Sequence, residues 1–120
     1  RNSGGVHDAV MESPLDVAKS LVHGERNRDY AHPHTDYSCT ATIWRSLIQR
    51  RYGVDVPLSP DFACLMMVAV KLSREAGKHK PDNLIDAAGY IECAAMCLEK
   101  DAQDKYDREY ASETFGPLGE

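Results

Sequence analysis

FACLMMVAVKLSREAGKHKPDNLIDAAGYIECAAMCL, residues 62–98, is the stretch that decides the fold. Its first half is apolar nearly all round a helix, from Phe62 to Leu72, and its last turns bring Lys71, Arg74 and Lys78 onto one face. Gly77 can break that helix, and Lys80-Pro81-Asp82 starts another. In the second half Leu84, Ala88, Ile91, Ala95 and Leu98 form one stripe, while Asp82, Asp86, Tyr90, Cys93 and Cys97 form a neighbouring one. Folding the two helices antiparallel sets residues equidistant from the turn side by side. Arg74 then falls near Asp82 and Lys71 near Asp86, a helical hairpin with cations facing carboxylates.

Outward from the hairpin, Ser59-Pro60-Asp61 gives its first helix a cap and a proline start. Before it, Tyr37, Ala41, Trp44, Ile48 and Tyr52 recur at steps of three and four, with Leu47 widening the stripe. Thr35 or Asp36 can cap that helix, Gly53 can end it, and Trp44 reads as core. Ser13-Pro14-Leu15-Asp16 opens a shorter helix with Leu15, Ala18, Leu21 and Val22 at helical spacing and Gly24 as its stop. Beyond Leu98 the sequence is highly charged, and Tyr106 and Tyr110 give a continuing helix one thin apolar edge. The expectation is one all-α domain over residues 13–110, four-helix bundle-like around the central hairpin. Residues 1–12 read as a leader, with Met11 as a natural start, and 111–120 as a loose tail.

A chain of 120 residues, 42% hydrophobic, supports one core. Nineteen acidic against fourteen basic residues give a net charge of -5, a field that repels phosphate backbones and argues against nucleic acid as a partner. Three of the four cysteines, Cys64, Cys93 and Cys97, lie on apolar helix faces and read as buried free thiols of a reducing compartment rather than disulfides. No apolar run approaches the roughly 18 residues of a membrane span, so no membrane is expected and the cytoplasm is the expected location.

The polar segment from Gly24 to His34 joins the first two helices, where binding residues commonly sit. It supplies Glu25, Arg26, Tyr30 and His32 as candidates, beside Lys71, Arg74, Asp82, Asp86 and Tyr90 of the hairpin. His32-Pro33-His34 lacks the further ligands that zinc needs.

Taken together, Gly24-Glu25-Arg26 with Tyr30, His32 and Pro33, then Trp44, Lys71-x-x-Arg74 and Asp82-x-x-x-Asp86-x-x-Gly89-Tyr90 resemble a family of small uncharacterised proteins of tailed bacteriophages and prophages. The resemblance covers Pro14 to Leu98 and implies phage origin and a helical fold. Ala31 stands where that family typically has glycine. A more distant similarity is to MazG-like nucleotide pyrophosphohydrolases, in which two acidic pairs on adjacent helices hold magnesium that activates water. It implies Glu25, Asp82 and Asp86 as catalytic carboxylates, with Asp82 and Asp86 on the metal. The first acidic pair is missing, since the facing helix offers Lys71 and Arg74 instead.

Three readings follow. The four hairpin charges are an ion-pair network that fixes register. Alternatively, Lys71, Arg74, Arg26, Tyr30, His32 and Tyr90 bind a nucleotide or another phosphate-bearing small molecule while Glu25, Asp82 and Asp86 hold a metal, making a divergent nucleotide pyrophosphohydrolase or a nucleotide-binding module. In the third, the protein is a non-enzymatic phage factor that binds a host protein, with a homodimer burying the apolar helix as a further expected assembly.

Overall fold

The structure is a computed structural model that describes residues 12–25 and 31–115. Four α-helices stand among the described residues: α1 (Pro14–His23), α2 (Pro33–Tyr52), α3 (Pro60–Gly77) and α4 (Pro81–Phe115). Each begins on a proline, whose missing N–H costs nothing in a first turn and whose fixed φ already suits a helix. Ser13 and Ser59 cap α1 and α3 as read from the sequence, accepting from the Leu15 and Phe62 amides. For α2 the cap is His32, three residues ahead of Thr35 and four ahead of Asp36. The helix starts earlier because Pro33 takes its first position and the His32 imidazole accepts the His34 amide at 3.0 Å. Gly53 ends α2 with φ 70, a left-handed conformation that glycine adopts without strain.

The fold is all-α and bundle-like, and its centre is the antiparallel α3–α4 hairpin, with α1 packed on α4 and α2 spanning both hairpin helices. Contact is close because the facing residues are small. The buried set is Ala18, Val22, Ala41, Ala63, Cys64, Ala87, Cys93, Ala94 and Cys97, with Asn83 as its polar member. The sequence places α3 at the centre of a bundle, yet the structure covers only one side of it. Ala63 and Cys64 are buried, whereas Phe62, Leu65 and Leu72 are exposed. In α4 the stripe of Asp86, Tyr90, Cys93 and Cys97 turns inward, and Leu84, Ile91 and Leu98 turn out. α4 continues through Tyr106 and Tyr110, whose rings stack. No described helix is long and apolar enough to cross a membrane.

The hairpin register is that expected for one of the two charge pairs. Lys71 Nζ lies 2.8 Å from Asp86 Oδ2, both side chains mostly buried. Arg74 and Asp82 are exposed and make no ion pair among the described residues. The mouth of the hairpin is closed by Glu75 instead. Its carboxylate accepts the Lys80 amide at 3.0 Å and the Asn83 side-chain amide at 3.2 Å, and it also pairs with His79. Those bonds, the one with His79 foremost, hold the Glu75 carboxyl below its ordinary pKa.

Candidate functional site

α1, α2 and α4 meet around a cavity of about 60 Å³. That is several times the space one water needs, and less than half of a cavity that takes up a benzene ring. Its apolar wall comes from α1 and α4, through Ala18, Val22 and Ile85, with Gly89 facing α1 at ordinary contact distance: a Cβ there would meet Val22 at 3.5 Å. Four polar side chains converge on the same space, Asp36 and Tyr37 from the first turns of α2, Asp86 and Tyr90 from α4. The tyrosine rings meet edge to face, centroids 6.3 Å apart and planes at 87°. Burial pushes the Tyr37 phenol far above its ordinary pKa, and the nearby Tyr90 pushes it the same way. Tyr37 therefore remains a neutral hydroxyl at working pH.

Side-chain contacts outside the cavity also tie these helices together. His34 Nε2 meets Asp101 at 2.7 Å and ties α2 to α4, and His23 Nε2 meets Glu92 at 2.6 Å and ties α1 to α4. At Ala31 the chain enters the cavity wall with φ 64. This left-handed conformation is what a glycine supplies freely and an alanine only under strain. The departure noted at Ala31 thus falls at the one non-glycine residue with positive φ among those described.

Of the residues singled out from sequence, Asp86 and Tyr90 reach the cavity, and Lys71 stands behind Asp86 as its partner. His32 is used as the α2 cap. Glu25 follows α1 and is exposed, as are Asp82 and Arg74, and none of the three lines the cavity. Arg26 and Tyr30 lie outside the described residues. Asp36, Tyr37 and Cys93 line the cavity without having been singled out for it. Tyr37 had been absorbed into the apolar stripe of α2, where its phenol gave no separate signal.

Magnesium takes a near-octahedral shell of oxygen ligands, for which several free carboxylates must converge. Asp86 is committed to Lys71, Asp82 is exposed, and no three His, Cys, Asp or Glu side chains gather to hold a metal ion among the described residues. That donor set does not fit magnesium. It suits recognition by hydrogen bonds, with carboxylates accepting N–H or O–H groups and phenols offering both roles.

Behind the cavity Cys64 and Cys97 touch within the core, and Cys93 lies beside them and also lines the cavity. Burial raises the pKa of both Cys64 and Cys97, so these thiols stay protonated. Cys39 is exposed on α2.

The family described as a domain of unknown function (DUF6378) matches residues 13–98, most of the chain. Among curated proteins, the Gene 55 protein of Mycobacterium phage D29 is 28% identical over 92 residues, which is 76% of this chain and 57% of that protein. The chain thus spans little more than half the length of that relative. No solved structure matches.

Proposed function

The chain belongs to the DUF6378 family, and from that premise we propose that it is a phage-encoded nucleotide-binding protein whose ligand sits in the α1–α2–α4 cavity. Phage origin draws on the similarity to the mycobacteriophage protein. The observation that carries the ligand class is the convergence of Tyr37, Tyr90, Asp36 and Asp86 on one space. A nucleobase at its mouth would present an aromatic face to the tyrosines and N–H donors to the carboxylates, and base–aromatic contact is worth about 1–3 kcal/mol per base.

The test is a thermal-shift panel of nucleosides, nucleoside monophosphates and triphosphates, each with and without magnesium. A ligand at a hundred times its Kd stabilises the fold by about 2.7 kcal/mol, a rise of roughly 10 °C at this chain length. Tyr90→Ala is expected to abolish the shift. A flat panel contradicts nucleotide binding. Turnover confined to magnesium would favour the divergent MazG-like pyrophosphohydrolase, and this arrangement predicts binding without turnover. The host-protein reading rests on the Lys71–Asp86 pair serving register alone, and it gains if a flat panel is accompanied by a specific host protein retained on the immobilised chain.

A further inference from the structure

The face of the α3–α4 hairpin opposite the cavity is apolar and uncovered. In α4, Leu84, Ala88, Ile91, Ala95, Leu98 and Ala102 recur at alternating steps of four and three, the spacing of a coiled-coil seam. Ile91 and Leu98 are each 55% exposed. In α3, Phe62, Leu65, Ala69 and Leu72 recur at three, four and three, and Leu72 is also 55% exposed. Both seams lie on one face. Cys64 and Cys97 touch across the hairpin, and the next residue on each helix, Leu65 and Leu98, turns about 100° further round. In an antiparallel pair those equal turns lead to the same side.

We propose that this face is the interface of a homodimer, in which two hairpins stack face to face and antiparallel to form a four-helix bundle. The seam itself selects a second copy as the occupant. Read forward, the α4 seam runs large, small, large, small, large, small; read backward, it is complementary to itself. Antiparallel pairing sets Leu84 on the partner's Ala102, Ala88 on the partner's Leu98 and Ile91 on the partner's Ala95, so every layer joins a large side chain to an alanine, as close packing requires. The symmetry centre of that pairing falls at the level of Cys93. The same operation on α3 sets Leu65 on the partner's Ala69 and Phe62 on the partner's Leu72, with its centre at the level of Met67.

A two-fold axis must serve both helices at once. The hairpin puts Lys71 beside Asp86 and Cys64 against Cys97, which sets Met67 between the levels of Tyr90 and Ala94, an interval that contains Cys93. One axis across the hairpin is therefore open to both seams. The paired length of α4 is about 27 Å at 1.5 Å per residue, and two helices side by side span roughly 18 Å. The projected footprint is on the order of 500 Å² before side-chain relief is added, the scale of the ~800 Å² that each partner contributes to a standard interface. The protomer's core is built of small side chains: among the described residues Val22 is its largest buried aliphatic side chain. The dimer supplies the missing leucines and leaves both cavities facing outward.

Sedimentation equilibrium on the full chain at tens of micromolar is expected to give twice the 13.3 kDa chain mass. A species of 13.3 kDa at that concentration overturns the proposal. The geometry is tested by combining Leu84→Cys and Ala102→Cys with Cys39→Ser. The two new thiols lie too far apart along one helix to join within a chain, so mild oxidation is expected to yield a covalent dimer carrying 84-to-102 cross-links. Links of 84 to 84, or failure to cross-link while the variant remains folded by circular dichroism, overturn the antiparallel pairing.

Discussion

Asp86 is the residue on which structure and proposed function meet, because it faces Lys71 on one side and the cavity on the other. Removing one partner of a fully buried pair costs about 3–5 kcal/mol. With roughly a quarter of the Asp86 side chain and a seventh of Lys71 still in contact with solvent, Asp86→Ala is expected to cost about 2 kcal/mol in urea unfolding. Replacing both partners by apolar residues, Lys71→Met with Asp86→Leu, is expected to recover most of that loss, since no charge is then left unpaired. Thiol chemistry gives a second check. Cys39 should react with a thiol reagent in the native protein, and Cys64 and Cys97 only after unfolding; mass-mapping of alkylated peptides reads this directly. The Lys71–Asp86 pair was legible in the sequence because equal spacing about a turn is enough to place it. The Glu75 latch was not, since it depends on how Lys80 and Asn83 present their amides at the turn, and that backbone detail has no periodicity to announce it.

At the level of elements, the sequence specified four helices through their proline starts and serine caps, while which side of each helix faces inward depended on packing. α4 shows why. Its Leu84–Ile91–Leu98 stripe is the more hydrophobic, yet the stripe with Asp86, Tyr90 and Cys97 turns inward, because small residues there let α1 and α3 approach. Two glycines make separate tests, Gly24 of the α1 C-terminal turn and Gly89 of the approach of α1 to α4. At Gly24 an added Cβ would lie 2.7 Å from the Ser20 carbonyl oxygen, so Gly24→Ala is expected to lower Tm. At Gly89 it would meet Val22 at 3.5 Å and Ala18 at 3.9 Å, ordinary contacts. Gly89→Ala should therefore gain up to about 1 kcal/mol from helix propensity, visible as a higher Tm. A loss at Gly89 would mean that α1 packs more tightly on α4 than the distances indicate.

For the molecule as a whole, pH reports on the carboxylates that hold its helices. Glu75 is held below its ordinary pKa by His79 and the turn amides, and Asp104 by the side-chain hydrogen bond from Lys100. A depressed carboxylate contributes fully above its unfolded pKa and loses that contribution as the pH falls through its folded one. Stability should thus be level down to the ordinary carboxylate range and fall below it, and Glu75→Gln should make that fall shallower in a Tm-against-pH series. The cavity on one face of the hairpin and the self-complementary seam on the other divide the surface into a binding side and an assembly side. The binding side is tested most directly by titrating isotope-labelled protein with a panel of nucleoside triphosphates and following backbone amide resonances. Occupation of the cavity predicts that Val22, Tyr37, Gly89 and Tyr90 shift together and saturate, while the Leu98–Ala102 segment of α4 stays still. Shifts that spare Gly89 and Tyr90, or none with any nucleotide, would contradict it.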